Sequence, residues 1–361
     1  MPRGRGRGSW NARARGGRGG GENHSNRGHD SSTDRRPTTI STPSTTNTNA
    51  SRSETISTET RRQMEFMPWI SRSSGLEKSG DSLKDHKIQE EYRVFLEDKV
   101  KKVMSLRVDI HRETPNQKKH RLEEQENLLI LFRKLREGIS SSARIDSFTM
   151  EVYETSLYLS VIFASHHHTT IIIPTLLNDL YPKVINDKTS SSQSATETQH
   201  RHSSISHIVS LLHLLISNYP SQNFYHQQSP SNKHVPQSTL IWFQRLTLNL
   251  RRGNYHQIGH LTRHEYISRL LDDEGEKPDS LGGRAVMISI DTLREKARES
   301  MWNVIRSAYR ELWSADRQWF CRCLCLDEGD SSFDEWLLGL KTSNQIIPKE
   351  GSENRWIVMK R

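Results

Sequence analysis

The stretch from residue 289 to the carboxy terminus constrains the fold most, because its apolar residues change periodicity in a fixed order. Over residues 289–313, Ile290, Leu293, Ala297, Met301, Val304, Ile305, Ala308 and Leu312 recur at steps of three and four, which paints one face of a long helix. Trp319, Phe320, Leu324 and Leu326 fit a short buried helix around Cys321, Cys323 and Cys325. Phe333, Trp336, Leu337 and Leu340 form a further stripe, opened by Ser332 with Glu335 three residues on, the spacing of a capping box. Residues 345–348 and 355–359 are short and rich in Ile, Val and Trp, and the turn-forming stretch 349–354 separates them, so they read as a hairpin. Trp302, Tyr309, Trp336 and Trp356 are the aromatic residues expected in the core.

Helices followed by a hairpin predict a winged-helix subdomain over residues 314–361. Modules of that shape bind other macromolecules more often than they perform chemistry. Upstream, residues 87–313 read as helical. Tyr92, Phe95, Leu96, Val100, Val103, Leu106 and Ile110 trace a first stripe to about Arg112, with Thr114-Pro115 expected to stop it. Leu128, Leu131, Phe132 and Leu135 mark a second helix ended by Gly138. Phe148, Val152, Tyr153, Leu159, Ile162 and Phe163 mark a third, capped by Asp146. A fourth is expected from Pro174 to about Val184, with the proline in its first turn.

Two polar stretches, near 186–204 and 226–237, read as surface insertions, with helix resuming from about Ser206 and again at Leu240. At Gly253-Asn254 two helices meet in a tight turn, an αα-hairpin. No period of fixed length recurs, so the expected class is mainly α: an irregular helical-hairpin (TPR-like) solenoid capped by the winged helix.

Composition separates the amino terminus from this body. Residues 1–62 hold twelve Arg against five acidic residues, a net of +7 out of the chain's formal +9, so the basic pI of 9.4 belongs to the tail. Residues 1–30 form an Arg/Gly-rich tail, and residues 31–86 a Ser/Thr-rich linker too polar to offset chain entropy by burial; both are expected to be disordered. In the tail, Arg3, Arg5, Arg7, Arg13, Arg15, Arg18 and Arg27 can neutralise phosphates and stack on exposed bases, which points to salt-dependent RNA contact. A solubilising terminus is the other reading. The start of the chain lacks the apolar core of a secretory signal, and its most apolar stretches are too short or too His-interrupted to span a bilayer, so a soluble intracellular protein is expected. An odd cysteine count fits a reducing compartment.

On the long helix Arg294, Arg298, Arg306 and Arg310 follow a line that includes Trp302, a possible grip on a partner or nucleic acid. Asp291 and Glu295, three residues before Arg294 and Arg298, favour a solvated face of intrahelical ion pairs instead. The adjacent His166, His167 and His168 cannot converge on one metal, and the three cysteines lack a fourth ligand nearby, so no metal or cofactor is expected. The acidic runs Asp272-Asp273-Glu274 and Asp327-Glu328 with Asp330 lie beside glycines and read as exposed loop carboxylates. No nucleophile elbow, phosphate loop or zinc-protease motif occurs in the body, and an enzyme is not expected.

Three stretches carry a resemblance to a family. Leu106-Arg107-Val108-Asp109-Ile110 resembles the Arg-x-Asp element in the first helix of the Sac/GANP branch of the PCI-domain superfamily. Met150-Glu151-Val152-Tyr153-Glu154 resembles the branch's next helix, and residues 293–310, with Arg294, Arg298, Arg306, Tyr309 and Arg310, resemble the long helix leading into its winged module. The resemblance implies a non-catalytic scaffold in nuclear messenger-RNA processing or export that binds protein subunits, with RNA held through the tail and no membrane or small-molecule substrate. It implies a nuclear location, leaving the cytoplasm open. A subunit of a proteasome-lid-, signalosome- or initiation-factor-like PCI assembly is the alternative, and a stand-alone RNA-binding protein a further one.

Overall fold

The structure, a computed structural model, describes residues 63–67, 82–105, 113–187, 196–228, 235–327, 330–352 and 354–360, all within one compact unit spanning Thr55–Arg361. The Leu106–Ile110 landmark and the Arg/Gly tail lie outside the described residues. Among those described there are thirteen α-helices and one three-stranded sheet, and no helix is long and apolar enough to cross a membrane.

The apolar stripe of the long helix runs further upstream than its sequence signal. The helix spans Leu281–Ala308, starting where Ser280 caps the Gly283 N–H at 2.9 Å. Gly283 is required there, since a Cβ would stand 2.2 Å from the Lys277 carbonyl oxygen. Its buried face, including Val286, Ile290, Leu293 and Ala297, packs on the helices Ser147–Ile162 and Thr196–Ser217. In chain order the helices before it are α1 (His86–Ser105), α2 (Pro115–Ser141), α3 (Ser147–Ile162), α4 (His166–Pro174), α5 (Tyr181–Asp187), α6 (Thr196–Ser217), α7 (Asn223–Gln228), α8 (Gln237–Arg252), α9 (Tyr255–Leu261) and α10 (His264–Asp273), so the long helix is α11.

The expected end of the first helix near Arg112 lies outside the described residues. Thr114-Pro115 begins α2: Thr114 and Gln117 form a reciprocal capping box and the proline fills the first turn, where its missing N–H costs nothing. Gly138 does not end α2, which continues to Ser141; the glycine admits the backbone of Leu83, whose carbonyl oxygen would meet a Cβ at 2.7 Å. Leu83 and Met64 fall in the predicted linker, yet both are buried in the helical core, because isolated apolar side chains can dock where the average composition is polar. Asp146 does cap α3, accepting from the Thr149 N–H at 2.9 Å.

Pro174 lies at the end of α4 rather than at a helix start. The chain continues through a π-helical turn, Thr175–Leu180, into α5; proline lacks the N–H for an i−4 bond, and the wider turn follows it. The stretch read as a surface insertion before Ser206 belongs partly to α6, which starts at Thr196. Ser204, Ser206, His207, Ser210 and His213 are buried. Of these only Ser204 lies in the expected insertion, and its polarity misled because it is satisfied inside: Ser204 donates to Glu274 at 2.8 Å, while Ser206 of the expected helix meets the Tyr158 hydroxyl at 2.9 Å. Gly253, with φ of 61°, ends α8, and Asn254 caps α9, the turn that the sequence predicts.

After α11 come β1 (Glu311–Trp313), a 3₁₀ turn (Ser314–Asp316), α12 (Arg317–Cys323), α13 (Asp330–Thr342), β2 (Ile346–Pro348) and β3 (Arg355–Val358). The sheet is antiparallel in the order β1-β3-β2, with Leu312 opposite Trp356 and Ile347 opposite Ile357. β1 was read as the tail of the long helix, since its Leu312 continues the helical spacing. The chain leaves the helix at Tyr309, whose ψ of 144° is extended. Tyr309 is accordingly 46% exposed rather than core, while Trp302 and Trp356 are buried and Trp336 packs edge-on against Trp302 at 5.4 Å. A second hydrophobic cluster joins Trp302 and Ile305 of α11 to Leu312, Phe320, Leu337 and Trp356. The predicted boundary at residue 314 therefore cuts through both this cluster and the sheet. α13 also starts before Ser332, whose hydroxyl donates back to the Asp327 carbonyl at 2.9 Å instead of capping.

Candidate docking surface at the carboxy-terminal sheet

Arg294 and Arg298 of α11 are staples to the end of α12. Arg294 is 4% exposed; its Nε and Nη2 donate to the Cys325 carbonyl at 3.1 and 2.8 Å, and Nη2 also reaches Asp327 at 2.7 Å. Arg298 Nε donates to the Leu324 carbonyl at 3.0 Å. Both guanidiniums thus satisfy carbonyls just past the end of α12, where a cation is also favoured by the helix dipole. Burial pushes the Asp327 carboxyl up, but the Arg294 hydrogen bond and the positive charges around it, Arg294 and Arg298 among them, together hold the group below its ordinary value. Burial lowers the Arg298 pKa, with the neighbouring Arg294 charge acting the same way.

The line Arg294, Arg298, Trp302, Arg306, Arg310 is therefore not one face toward a partner. Arg294, Arg298 and Trp302 are spent inside, the indole N–H donating to Gln345 Oε1 at 2.5 Å. Arg306 ties the end of the chain by donating to the Met359 carbonyl at 2.5 Å, and Arg310 is exposed. The solvated-face reading fails as well: Asp291 is 4.0 Å from Arg294, whereas the Cys325 carbonyl and Asp327 lie much closer. Spacing alone cannot distinguish a helix face turned to water from one turned to a neighbouring helix end.

The strands divide their side chains cleanly. Leu312, Ile346, Trp356 and Val358 face the second cluster, while Trp313, Ile347 and Ile357 are 48, 45 and 41% exposed. The register sets Ile357 between Glu311 and Ile347. Around them stand Arg355, whose guanidinium lies 4.7 Å from the Trp313 ring centroid, and Lys349, which pairs with Glu311 at 2.8 Å. Lys349 holds the Glu311 carboxyl below its ordinary value. Tyr309 and Trp319 add a second exposed aromatic pair, 5.7 Å apart. Apolar side chains with a charged rim on a solvent-facing sheet are the composition of a protein interface. Sequence reasoning missed these residues, although Ile346-Ile347 and Trp356-Ile357 place apolar groups on both faces of each strand, a pattern a half-solvated sheet does not need.

The histidine, cysteine and acidic candidates of the body lie apart from this sheet face. His166, His167 and His168 form the first turn of α4, with His168 Nδ1 at 2.8 Å from the Ser165 hydroxyl. Among the described residues no group of His, Cys, Asp and Glu could hold a metal ion. All three cysteines are free; burial pushes the Cys325 thiol up to about 11, which removes it from thiolate chemistry near neutrality. Glu274 is not an exposed loop carboxylate: it is buried and accepts from both Ser204 and Thr239 at 2.8 Å. Glu154, at the end of the second resemblance stretch, is likewise buried and accepts the Tyr181 hydroxyl at 2.6 Å, in a cluster where Tyr181 also stacks on His207 at 5.4 Å.

No family model matches the chain, and no curated protein matches it.

Proposed function

We propose that this chain is a non-catalytic scaffold of the Sac/GANP-like PCI type, which binds a protein subunit through the outer face of its carboxy-terminal sheet. The observation that carries the reading is the succession α11, β1, α12, α13, β2, β3, the order of a winged helix, with Trp313, Ile347 and Ile357 left exposed on its sheet. Paired helices such as α8 and α9 support a helical-hairpin body leading into that module. The order β1-β3-β2 also leaves β1 and β2 as edges, a second means of docking by strand addition. In this reading the protein works in nuclear messenger-RNA processing or export, and the Arg/Gly tail adds RNA affinity without sequence preference.

The test is affinity capture of the full chain with identification of stoichiometric partners, repeated with Trp313→Ser combined with Ile357→Ser. Both side chains are about half-buried on the outer face, so the double variant should stay folded with at most a small fall in melting temperature. Expected is recovery of messenger-RNA processing or export subunits by the parent chain, their loss from the double variant, and their retention after deletion of residues 1–62. Recovery of proteasome-lid or signalosome subunits would move the assignment to the alternative PCI assemblies. Capture unaffected by the double variant would remove the sheet as the docking surface, and RNA alone, lost with the tail, would replace the scaffold by a stand-alone RNA binder.

A further inference from the structure

On α2, Arg133, Arg136, Glu137 and Ser140 line one wall of a cleft of about 300 Å³, whose other walls include Tyr153 of α3, His167 and His168 of α4 and Thr175 of the π-helical turn. Arg136 is the unusual member. Its side chain is 8% exposed, its Nε has no hydrogen-bond partner, and among the described residues no carboxylate pairs with it. Its nearest aromatic neighbour is the Tyr153 ring, with the guanidinium 5.7 Å from the centroid. The adjacent Glu137 pairs with Arg133 instead, at 3.0 Å. A buried guanidinium without a counter-ion is costly, and proteins rarely keep one unless something else supplies the negative charge.

The His168 imidazole stands beside Arg136 in the lining of the cleft. Burial lowers the His168 pKa, and the Arg136 charge acts in the same direction. Burial likewise lowers the Arg136 pKa. The cleft is thus electropositive, roomy enough for a small organic molecule and lined by donors of three kinds: guanidinium, imidazole and hydroxyl. A carboxylate would neutralise Arg136, but its acceptor lone pairs all lie in one plane, whereas the donors stand on several walls of the cleft. A phosphate group has three terminal oxygens, matches the guanidinium fork and is still small enough to enter.

We propose that this cleft binds a small phosphate monoester, with Arg136 as the principal anchor and Arg133, His167 and His168 completing the cradle. None of these residues belongs to the carboxy-terminal sheet, so the site stands or falls separately from the docking surface.

The test is isothermal titration of the full chain with glycerol 3-phosphate, and separately with inorganic phosphate and acetate, at one chloride-matched ionic strength. Expected is saturable binding of glycerol 3-phosphate, weaker binding of inorganic phosphate and none of acetate. Arg136→Met should lower glycerol 3-phosphate affinity at least tenfold while leaving the unliganded melting temperature unchanged or raised, since it removes an unpaired buried charge. Should that variant not fold, Arg136→Lys keeps the charge but loses the fork, and an affinity loss of at least about fivefold is expected. No saturable binding to the parent chain, equal binding by the Arg136 variant, or acetate binding as tightly as phosphate would each overturn the assignment.

Discussion

Replacing Glu154 by Gln removes a charge from the protein interior while keeping the shape of the side chain. Glu154 lies on α3, 6% exposed, and its Oε1 accepts the Tyr181 hydroxyl at 2.6 Å, a bond that an amide oxygen can also accept. Burial pushes its carboxyl from 4.5 up to about 7; the Tyr181 hydrogen bond opposes the rise, and Glu151 and Glu276 add to it. In the unfolded chain the group loses its proton near 4.5. Between 4.5 and about 7 the folded state therefore holds more protons than the unfolded one, and stability falls as pH rises through that window. Above it both states are ionised and the loss is complete. At about 1.4 kcal/mol for each pH unit, the window is worth about 3 kcal/mol. Glu154→Gln escapes this loss. Urea denaturation of both proteins from about pH 5 to about pH 8 should show the variant's advantage growing with pH and then levelling off near neutrality. A difference between the two that stays flat across that range would refute burial as the cause.

His213 carries the opposite dependence. Burial first, and the His166 charge second, lower its pKa from 6.5 to about 4, so stability falls as pH drops through that window, by about 3 kcal/mol in all, and denaturation of His213→Gln should lack that fall. Arg294→Met leaves the Cys325 carbonyl with only the long Arg298 contact at 3.4 Å and Asp327 without its guanidinium, and should cost about 2 kcal/mol in urea unfolding, whereas no measurable cost would show that the staple to α12 is dispensable. Gly283→Ala drives a Cβ against the Lys277 carbonyl and should cost about 1–3 kcal/mol, while Gly339→Ala, with nothing within 4 Å, should gain up to about 1 kcal/mol from helix propensity; calorimetric melting of the pair should show opposite shifts.

The helices of this chain were legible because their signal is local. Leu293 and Ala297 face the core for the same reason that they recur at helical spacing, and Gly253-Asn254 marks a turn because the left-handed conformation at position 253 suits glycine. Signals that serve two purposes were not legible. Pro115 can close one helix or open the next, and Gly138 can end a helix or admit a neighbour's backbone; for Gly138 the choice depended on Leu83, far away in sequence. Ser204 in α6 looked like surface because its partner, Glu274, stands just past the end of α10, far away in sequence.

The candidate site divides the same way. The hairpin of β2 and β3 could be read from short β-rich runs around a turn, but the third strand could not, since Leu312 also fits the helical period that precedes it. Arg294 and Arg298 carried the same charge pattern whether they faced water or the end of α12. By itself, then, the sequence determined the mainly helical class, the helical stripes and the closing hairpin, all of which rest on periodicities within one segment. Only the tertiary structure decided which arginines are consumed as staples, which aromatic residues remain on the surface, and that Arg136 is buried without a counter-ion, because burial and partnership depend on segments that the chain brings together only when it folds.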